Sequence, residues 1–314
     1  IFAAGNPLRK KRLKPGDEVL VPVLCWPTSV WPLIQFGLRP VFVDIDLLTL
    51  NISEIELKKK ITNKTKAIFI INVLGISCDL NKIKEIAKKN NLIIFEDNCE
   101  SLGGKIKDRY LGTFGDFGTF SFFYSHQITS GEGGMVVCNN ENDYEILFSL
   151  RSHGWLGGVR FYPRNWKKFN YYAKKYPNLD PRYIFINSGF NLRPTDIQAA
   201  IGLSQFKKLD LFIKNRNINK ELIVNELKKS YKWNSQFRFI NSPAENLASW
   251  MLLPIILDIK YKNKKKKFID YLENQAIETR PIISGSFNNQ PASKLYNLFK
   301  KNDYYKNAFH LTLF

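Results

Sequence analysis

Cysteine is scarce in this chain, with 4 residues among 314. None of them has the Cys-x-x-Cys spacing of a zinc or redox site, and all stand in apolar or strand-like contexts. Free thiols of this kind are typical of proteins from a reducing compartment. We therefore expect buried free cysteines in a cytoplasmic protein that holds neither a metal ion nor an iron–sulfur cluster. The four residues are Cys25, Cys78, Cys99 and Cys138.

Long apolar runs are also missing, although 44% of the residues are hydrophobic. No stretch is long enough to span a bilayer and no signal peptide opens the chain, so we expect no membrane association. The chain begins at Ile1 rather than at Met, and it ends at Phe314 inside an apolar run. We therefore expect it to be either a fragment or trimmed at both ends.

Acidic residues are few relative to basic ones, which gives a formal net charge of +19. Nucleic-acid binding is one interpretation of such a charge. The lysines are scattered, however, and do not alternate with aromatic residues as they would along a nucleic-acid groove. We therefore expect no nucleic-acid partner, although this interpretation stays as an alternative. The positive field would also help to attract a small phosphorylated ligand.

Apolar strand-like runs alternate with helical patterns through the first half of the chain. This order predicts an α/β fold with a mostly parallel, doubly wound sheet. Because ligands of such sheets bind at the carboxyl ends of the strands, Asp97 and His126 become candidate site residues. The predicted strands are 18–24, 40–46, 67–72, 92–97, 119–124 and 134–138, and the predicted helices are 28–36, 53–60 and 81–90.

The second half of the chain has a different pattern. Residues 155–182 are rich in aromatics, Pro, Asn and Lys, and they predict a long excursion rather than a domain linker. Longer helical patterns follow, and then short strands alternate with helices. We expect a large domain over residues 1–210, and an interdomain helix with a small α/β domain over 211–314. The predicted elements are helices at 194–209, 212–229 and 264–274 and a strand at 250–257.

Lysine is common, with 35 residues, yet none occurs between Asp108 and Trp166. Within this gap His126 stands between an apolar strand and a glycine-rich turn, in the stretch GTFSFFYSHQITSGEGG over 118–134. A catalytic side chain at the end of a sheet is often presented in this way. An imidazole moves protons near neutral pH, but it has no primary amine with which to bind an aldehyde.

Several motifs, taken in order, carry a family resemblance over nearly the whole chain. Together they resemble the DegT/DnrJ/EryC1/StrS sugar aminotransferases, which are fold-type-I enzymes that use pyridoxal phosphate (PLP). In that family a lysine lies six residues before the Glu of the Glu-Gly-Gly motif, and here that position is His126. The chain therefore resembles the 3-dehydratase branch, in which histidine replaces the lysine. The motifs are 40–46, Glu96-Asp97, Gly131-Glu-Gly-Gly134 and Gly189-Phe-Asn-Leu-Arg193.

A second histidine branch of the family uses an iron–sulfur cluster and carries clustered cysteines. Residues 154–187, where those cysteines would fall, contain none. The resemblance is therefore to the branch that works without an iron–sulfur cluster.

The resemblance also implies which residues hold the cofactor. Asp97 would face the pyridine nitrogen and keep it protonated, and Trp26 would stack on the ring. Glu100 would bond the phenolic oxygen and Ser121 the phosphate. Asn191 would reach the phosphate of the partner's cofactor across the interface of a homodimer.

The remaining implied roles concern the substrate and the phosphate. His126 would move the protons, and Arg193 and Arg280 would contact the substrate. The family's phosphate-binding turn would precede Ile1. Without the lysine, the cofactor would be bound without a covalent link to the protein.

The function implied is a PLP- and pyridoxamine phosphate-dependent lyase of deoxysugar and lipopolysaccharide O-antigen synthesis. It would remove the C3 hydroxyl of a nucleotide-linked 4-keto-6-deoxy sugar, with L-glutamate as the amino donor. Guanosine diphosphate is suggested as the nucleotide only by resemblance, which residues 123–128 and 280–291 carry. Three other interpretations stay open: a nucleotide-sugar aminotransferase with a recruited distant lysine, a non-catalytic homologue, and a nucleic-acid-binding protein.

Overall fold

The structure is a computed structural model that describes residues 1–156, 166–300 and 303–308. The strands are β1 (Glu18–Pro22), β2 (Arg39–Val43), β3 (Thr65–Ile71), β4 (Ile93–Asp97), β5 (Lys105–Ile106), β6 (Arg109–Tyr110), β7 (Phe117–Ser121), β8 (Gly134–Cys138), β9 (Phe237–Phe239), β10 (Asn246–Leu247) and β11 (Ile255–Leu257). The α-helices are α1 (Trp31–Gln35), α2 (Glu54–Lys60), α3 (Leu80–Lys89), α4 (Glu141–Arg151), α5 (Trp166–Lys175), α6 (Asp196–Phe206), α7 (Leu209–Lys229), α8 (Lys265–Asn274) and α9 (Pro291–Leu295).

A six-stranded sheet forms the centre of the fold, in the order β2-β1-β3-β4-β7-β8. The first five strands run parallel, and β8 is antiparallel to β7. The prediction of a mostly parallel sheet is confirmed. Smaller sheets follow: β10 joins β5 and β6, and β9 pairs with β11.

Both faces of the inner strands β1, β3 and β4 are buried, because these strands are apolar at nearly every position. Val19 and Val21 of β1 belong to one buried apolar cluster, whereas Leu20 belongs to the cluster on the opposite face. The same alternation holds for Phe95 and Ile94 of β4. Parallel sheets need cover on both faces, and here the helices supply it.

Local capping explains the helix that the sequence predicted best. Ser53 accepts a hydrogen bond from the Glu56 backbone N–H at the start of α2, as its Ser-x-x-Glu pattern predicts. The predicted helix at 28–36 is wrong as a single element. A 3₁₀ turn over Pro27–Ser29 precedes the short α1, because two prolines restrict the backbone there and remove two N–H donors.

Two further predictions need correction. The predicted strand at 119–124 ends at Ser121, so His126 lies in the following loop rather than directly at a strand end. The predicted strand at 250–257 forms only over Ile255–Leu257. Trp250 and Met251, at the start of the predicted strand, are buried, but their carbonyls accept hydrogen bonds from the Arg216 side chain of α7 and not from a neighbouring strand.

The predicted excursion at 155–182 contains a helix, α5. Residues 157–165 of this excursion lie outside the described part of the chain. All four cysteines are free thiols, with Cys25 buried and the other three partly exposed. In the described residues, none of the helices is both long and apolar enough to cross a bilayer.

Candidate active site

The carboxyl ends of the parallel strands bring several predicted site residues to one edge of the sheet. Asp97 is the last residue of β4, Ser121 is the last of β7, and Trp26 follows β1 by four residues. Because these strands run parallel within one sheet, their carboxyl ends lie at the same edge. The order of the strands predicted this position for Asp97, whereas Trp26 and Ser121 were expected only from the family resemblance.

Asp97 is a half-buried carboxylate with two fixed hydrogen bonds. The Ser29 hydroxyl donates to Oδ2 over 2.9 Å, and the Cys99 backbone N–H donates to Oδ1 over 3.0 Å. These bonds fix the orientation of the carboxylate. A carboxylate held in this way can pair with a protonated ring nitrogen.

Glu100 lies beside Asp97 with one of its oxygens already engaged. Oε2 accepts a hydrogen bond from the Leu74 backbone N–H over 2.8 Å. Burial raises the pKa of Glu100 to about 7, although the Leu74 bond and the charge of Arg280 act in the opposite direction. Near neutral pH its carboxyl group is therefore able to donate or accept a hydrogen bond toward a bound ligand.

His126 lies at the same site, in the loop that connects β7 to β8. Its backbone N–H donates to the Phe123 carbonyl over 3.1 Å, and its ring atom Nδ1 is buried without a hydrogen-bond partner among the described residues. Burial lowers the pKa of His126, while the charge of Asp97 raises it and that of Arg280 lowers it. The neutral imidazole, which is the form that accepts a proton, is therefore favoured at neutral pH.

Arg280 comes to the site from the far end of the sequence. It is exposed, and its charge acts on both Glu100 and His126. The segment that follows it is tied to the end of β1, since Ser284 donates to the Cys25 carbonyl over 2.6 Å. In the described part of the chain, the charged groups that act on His126 are Asp97 and Arg280, and neither is a lysine.

Trp26 and Ser121 complete the part of the site that one chain supplies. Trp26 is 51% exposed, although it is a large aromatic residue next to buried strands, so its ring is available to a ligand. The Ser121 hydroxyl accepts the Phe123 backbone N–H over 3.2 Å, which leaves its own proton free to be donated.

The residues gathered at this edge of the sheet fit pyridoxal phosphate. A fixed carboxylate, an exposed aromatic ring, a hydroxyl donor and a carboxyl group with a raised pKa match the nitrogen, the ring, the phosphate and the phenolic oxygen of that cofactor. The Nδ1 atom of His126, which is buried without a hydrogen-bond partner among the described residues, is available to a ligand at this site.

Asn191 and Arg193 lie on a different surface. Both are exposed, in the segment that leads into α6. That helix is tied to the glycine-rich turn after His126, because Gln198 donates to the Glu132 carbonyl over 2.9 Å. Among the described contacts, none joins Asn191 or Arg193 to Asp97, so the two predicted groups do not meet within one chain.

Sequence reasoning missed two residues of the site. Ser29 is separated from Asp97 by 68 positions, and Gln127 binds a carbonyl that lies 122 positions away. Neither pairing is visible as a pattern in the neighbouring sequence. Both residues nevertheless stand within three positions of a predicted site residue.

Comparison with known proteins agrees with this geometry. A profile of the DegT/DnrJ/EryC1/StrS aminotransferase family matches residues 6–312. A GDP-4-keto-6-deoxy-D-mannose 3-dehydratase from Escherichia coli O55:H7 is 38% identical over 282 residues, which cover 89% of this chain and 69% of that protein. One from Yersinia pseudotuberculosis is 39% identical over 283 residues, with 89% and 68% covered.

A solved structure is similar as well. It is a GDP-4-keto-6-deoxymannose-3-dehydratase with a trapped PLP–glutamate geminal diamine. The TM-score is 0.84 at 34% identity, over 98% of this chain and 77% of that one. The fold-type-I expectation is thereby confirmed.

Proposed function

Since this chain belongs to the DegT/DnrJ/EryC1/StrS aminotransferase family, we propose that it is a PLP-dependent 3-dehydratase that deoxygenates a nucleotide-linked 4-keto-6-deoxy sugar. The observation that carries the proposal is His126, which stands where an aminotransferase of this family has its lysine. The relatives that are 38% and 39% identical are 3-dehydratases, in agreement with this reading.

The cofactor supplies the electron chemistry, since as pyridoxamine phosphate it offers an amine to the keto group and a ring that stores an electron pair. Asp97 would hold the proton on the ring nitrogen, and its own orientation is fixed by Ser29. Trp26 would stack on the ring, and Glu100 and Ser121 would bond the phenolic oxygen and the phosphate. These residues would bind the cofactor without a covalent link.

His126 would take the proton from the carbon that bears the cofactor's amine. Its lowered pKa keeps the imidazole neutral and able to accept that proton. The pair of electrons released there would move toward the sugar as the C3–O bond breaks, and the hydroxyl would leave with the bonding pair and depart as water once it is protonated. A lysine would instead return the proton to the sugar and complete an amino transfer, so the exchange to histidine favours elimination.

L-glutamate is the proposed amino donor and a GDP-linked sugar the proposed substrate. The relatives that are 38% and 39% identical act on a GDP-sugar, and the solved structure with the trapped adduct contains glutamate joined to PLP. Arg280, whose charge acts on His126 and Glu100, is placed to contact an anionic group of either ligand. We further propose that residues 1–210 hold the cofactor and that residues 211–314 complete the substrate side.

We also propose a homodimer, because a large apolar surface surrounds α6. This helix begins with a complete capping box at Thr195, yet none of its side chains is buried. An apolar surface of this extent on a helix is typical of an interface. A second copy seated there would bring Asn191 and Arg193 to the partner's site. The exposed apolar residues of this surface are Met135, Val136, Phe190, Leu192, Ile197, Ile201, Leu203 and Phe206.

Replacing Ile197 by glutamate is expected to separate the dimer. The substitution would bury an unpaired carboxylate twice in a twofold interface, at a cost of about 3 kcal/mol or more per copy, so the dimer dissociation constant should rise by at least about 100-fold. Light scattering after size exclusion measures it. The matched control is Ile55→Glu, because Ile55 is 68% exposed and Ile197 74%. If Ile197→Glu and Ile55→Glu form dimers with the same dissociation constant, the proposed interface is wrong.

The function is tested by supplying the protein with PLP, L-glutamate and GDP-4-keto-6-deoxymannose. We expect a sugar nucleotide lighter by one oxygen atom, with 2-oxoglutarate and ammonia formed in equal amounts. The atoms balance, because glutamate supplies the two electrons that reduce C3 and its nitrogen leaves as ammonia. Reactions without glutamate serve as the control.

An amino sugar formed without ammonia would show an aminotransferase instead. No turnover on this substrate or on a panel of other nucleoside-diphosphate 4-keto sugars, with PLP bound, would show a non-catalytic homologue.

A further inference from the structure

A buried segment lies against the His126 loop and is hydrogen-bonded to α7 and to the turn at Gly75. This segment, which we call the strap, comprises Ala248–Met251, and all four residues are buried. From α7, Asn217 donates to the Ala248 carbonyl over 2.8 Å, and Arg216 donates to the Trp250 and Met251 carbonyls over 3.0 and 2.6 Å. The strap is therefore a fixed point in the fold.

The strap also lies against the turn that holds Glu100. The Ser249 backbone N–H donates to the Gly75 carbonyl over 3.0 Å, and Gly75 has a φ of +93°. A Cβ at that position would overlap the Ser249 carbonyl, so only glycine permits the approach. Leu74, which precedes it, is the residue whose N–H binds the Glu100 carboxyl group.

Gln127 joins the His126 loop to this fixed point. Its side chain is buried, with 3% of the residue exposed. The amide nitrogen donates to two carbonyls, that of Ser249 over 3.0 Å and that of Glu100. Because both acceptors are carbonyl oxygens, only the nitrogen of the amide can face them, and a carboxylate of the same length could not replace it.

The ring of His126 lacks a hydrogen bond of its own that would fix it. Its Nδ1 is buried without a partner among the described residues, and the described hydrogen bond of the residue is made by its backbone N–H to Phe123. The ring packs edge-on against that of Phe123, with 6.0 Å between the centroids, and Phe123 belongs to the same loop. The position of the ring therefore depends on where this loop is held. The residue next to it in the chain, Gln127, provides that attachment.

We infer that Gln127 is a positioning residue that holds His126 in place against Asp97 and Glu100 by tying its loop to the strap. This inference rests on the proposed role of His126 in proton transfer. Gln127 acts through the backbone and does not touch the reacting atoms. The charged groups around His126 are Asp97 from β4 and Arg280 from the C-terminal part, with Glu100 beside them.

The test is Gln127→Met, which keeps the length of the side chain but removes both donated bonds. The Glu100 and Ser249 carbonyls are then buried without these donors, the loop shifts, and water reaches the His126 ring. We expect kcat to fall about 10- to 100-fold with KM nearly unchanged, as for a base displaced by about 1 Å. The pKa of His126 should rise toward its ordinary value, because burial is the main cause of its lowering.

The matched control is Ser249→Ala. It removes another buried bond of the strap, from Ser249 Oγ to the Leu102 carbonyl over 2.6 Å, but keeps the carbonyl that Gln127 binds. It should lower the midpoint of thermal unfolding without changing the pKa of His126 or the pH profile of kcat. The pKa is read by NMR from the imidazole signals, which is practical because the chain contains only 3 histidines.

The NMR measurement separates two kinds of failure. If the wild-type protein does not dehydrate its substrate, the proposed function fails, yet the change in the His126 pKa still tests the attachment. If the wild-type protein is active and Gln127→Met changes neither kcat nor the pKa of His126, the inference about Gln127 is wrong. A Ser249→Ala variant that matches Gln127→Met in both readouts would likewise overturn it.

Discussion

Replacing His126 by asparagine is expected to lower the kcat for dehydration by about 10²–10⁴-fold, which is the usual contribution of a positioned general base. Asparagine is polar and of similar size, but it does not accept a proton near neutral pH. Cofactor and substrate contacts are left in place, so KM should change little. Steady-state kinetics with the sugar nucleotide and glutamate gives both constants.

The role of His126 as a base also predicts how kcat/KM depends on pH. Burial lowers the pKa of His126, so its neutral, proton-accepting form persists to lower pH than that of an ordinary histidine. The acidic limb of the kcat/KM profile should therefore lie below the ordinary histidine value and should vanish in H126N. The matched control is His153→Asn, an exposed site with a φ of +61°, which asparagine tolerates. A profile and a kcat unchanged in H126N would remove the histidine from the mechanism.

Replacing Asp97 by asparagine is the second substitution with a large expected effect. The carboxylate would balance the charge of the protonated ring nitrogen, and a neutral amide would not. Removal of one partner of a buried charge pair costs about 3–5 kcal/mol, which corresponds to a fall in kcat of about 10²–10⁴-fold or to an equivalent loss of cofactor affinity. Kinetics and titration of the apoprotein with pyridoxamine phosphate together measure it.

Ser29→Ala provides a graded comparison for Asp97. It keeps the carboxylate and removes only the hydrogen bond of 2.9 Å to Oδ2. A single hydrogen bond to a charged group contributes about 1.5–3 kcal/mol, so activity should fall between that of the wild type and that of D97N. If Ser29→Ala and D97N were equally active, the charge of Asp97 would have no part in the reaction.

Local sequence patterns predicted the frame of the site well. Apolar runs of five to seven residues gave the strands of the central sheet, and their parallel order placed Asp97 at the carboxyl edge, whereas Ser121 was identified only by the family resemblance. The spacing of His126 from the Glu-Gly-Gly motif identified the substituted position. These features are encoded in contiguous stretches, where side-chain period and turn chemistry act over a few residues.

Long-range contacts explain what the sequence did not reveal. The run at 250–257 was predicted as one strand because it is apolar. Its Trp250 and Met251 carbonyls accept hydrogen bonds from Arg216, however, which lies on a helix more than 30 residues earlier in the chain. Gln127 is likewise defined by Ser249, 122 residues away. Such pairings depend on tertiary packing and produce no periodic pattern in the sequence. The roles of the individual site residues stay predictions until these variants are measured.

The most direct measurement of the role of His126 is peptide mapping after borohydride reduction. An amine of the protein that has condensed with the PLP aldehyde becomes a stable adduct on reduction, whereas PLP held without a covalent bond does not. Wild-type protein loaded with PLP and desalted should yield no adduct on the site peptides, and H126K should yield one on the peptide that contains position 126, together with loss of dehydration. A stoichiometric adduct on a site lysine of the wild-type protein would contradict the replacement of lysine by histidine at this site.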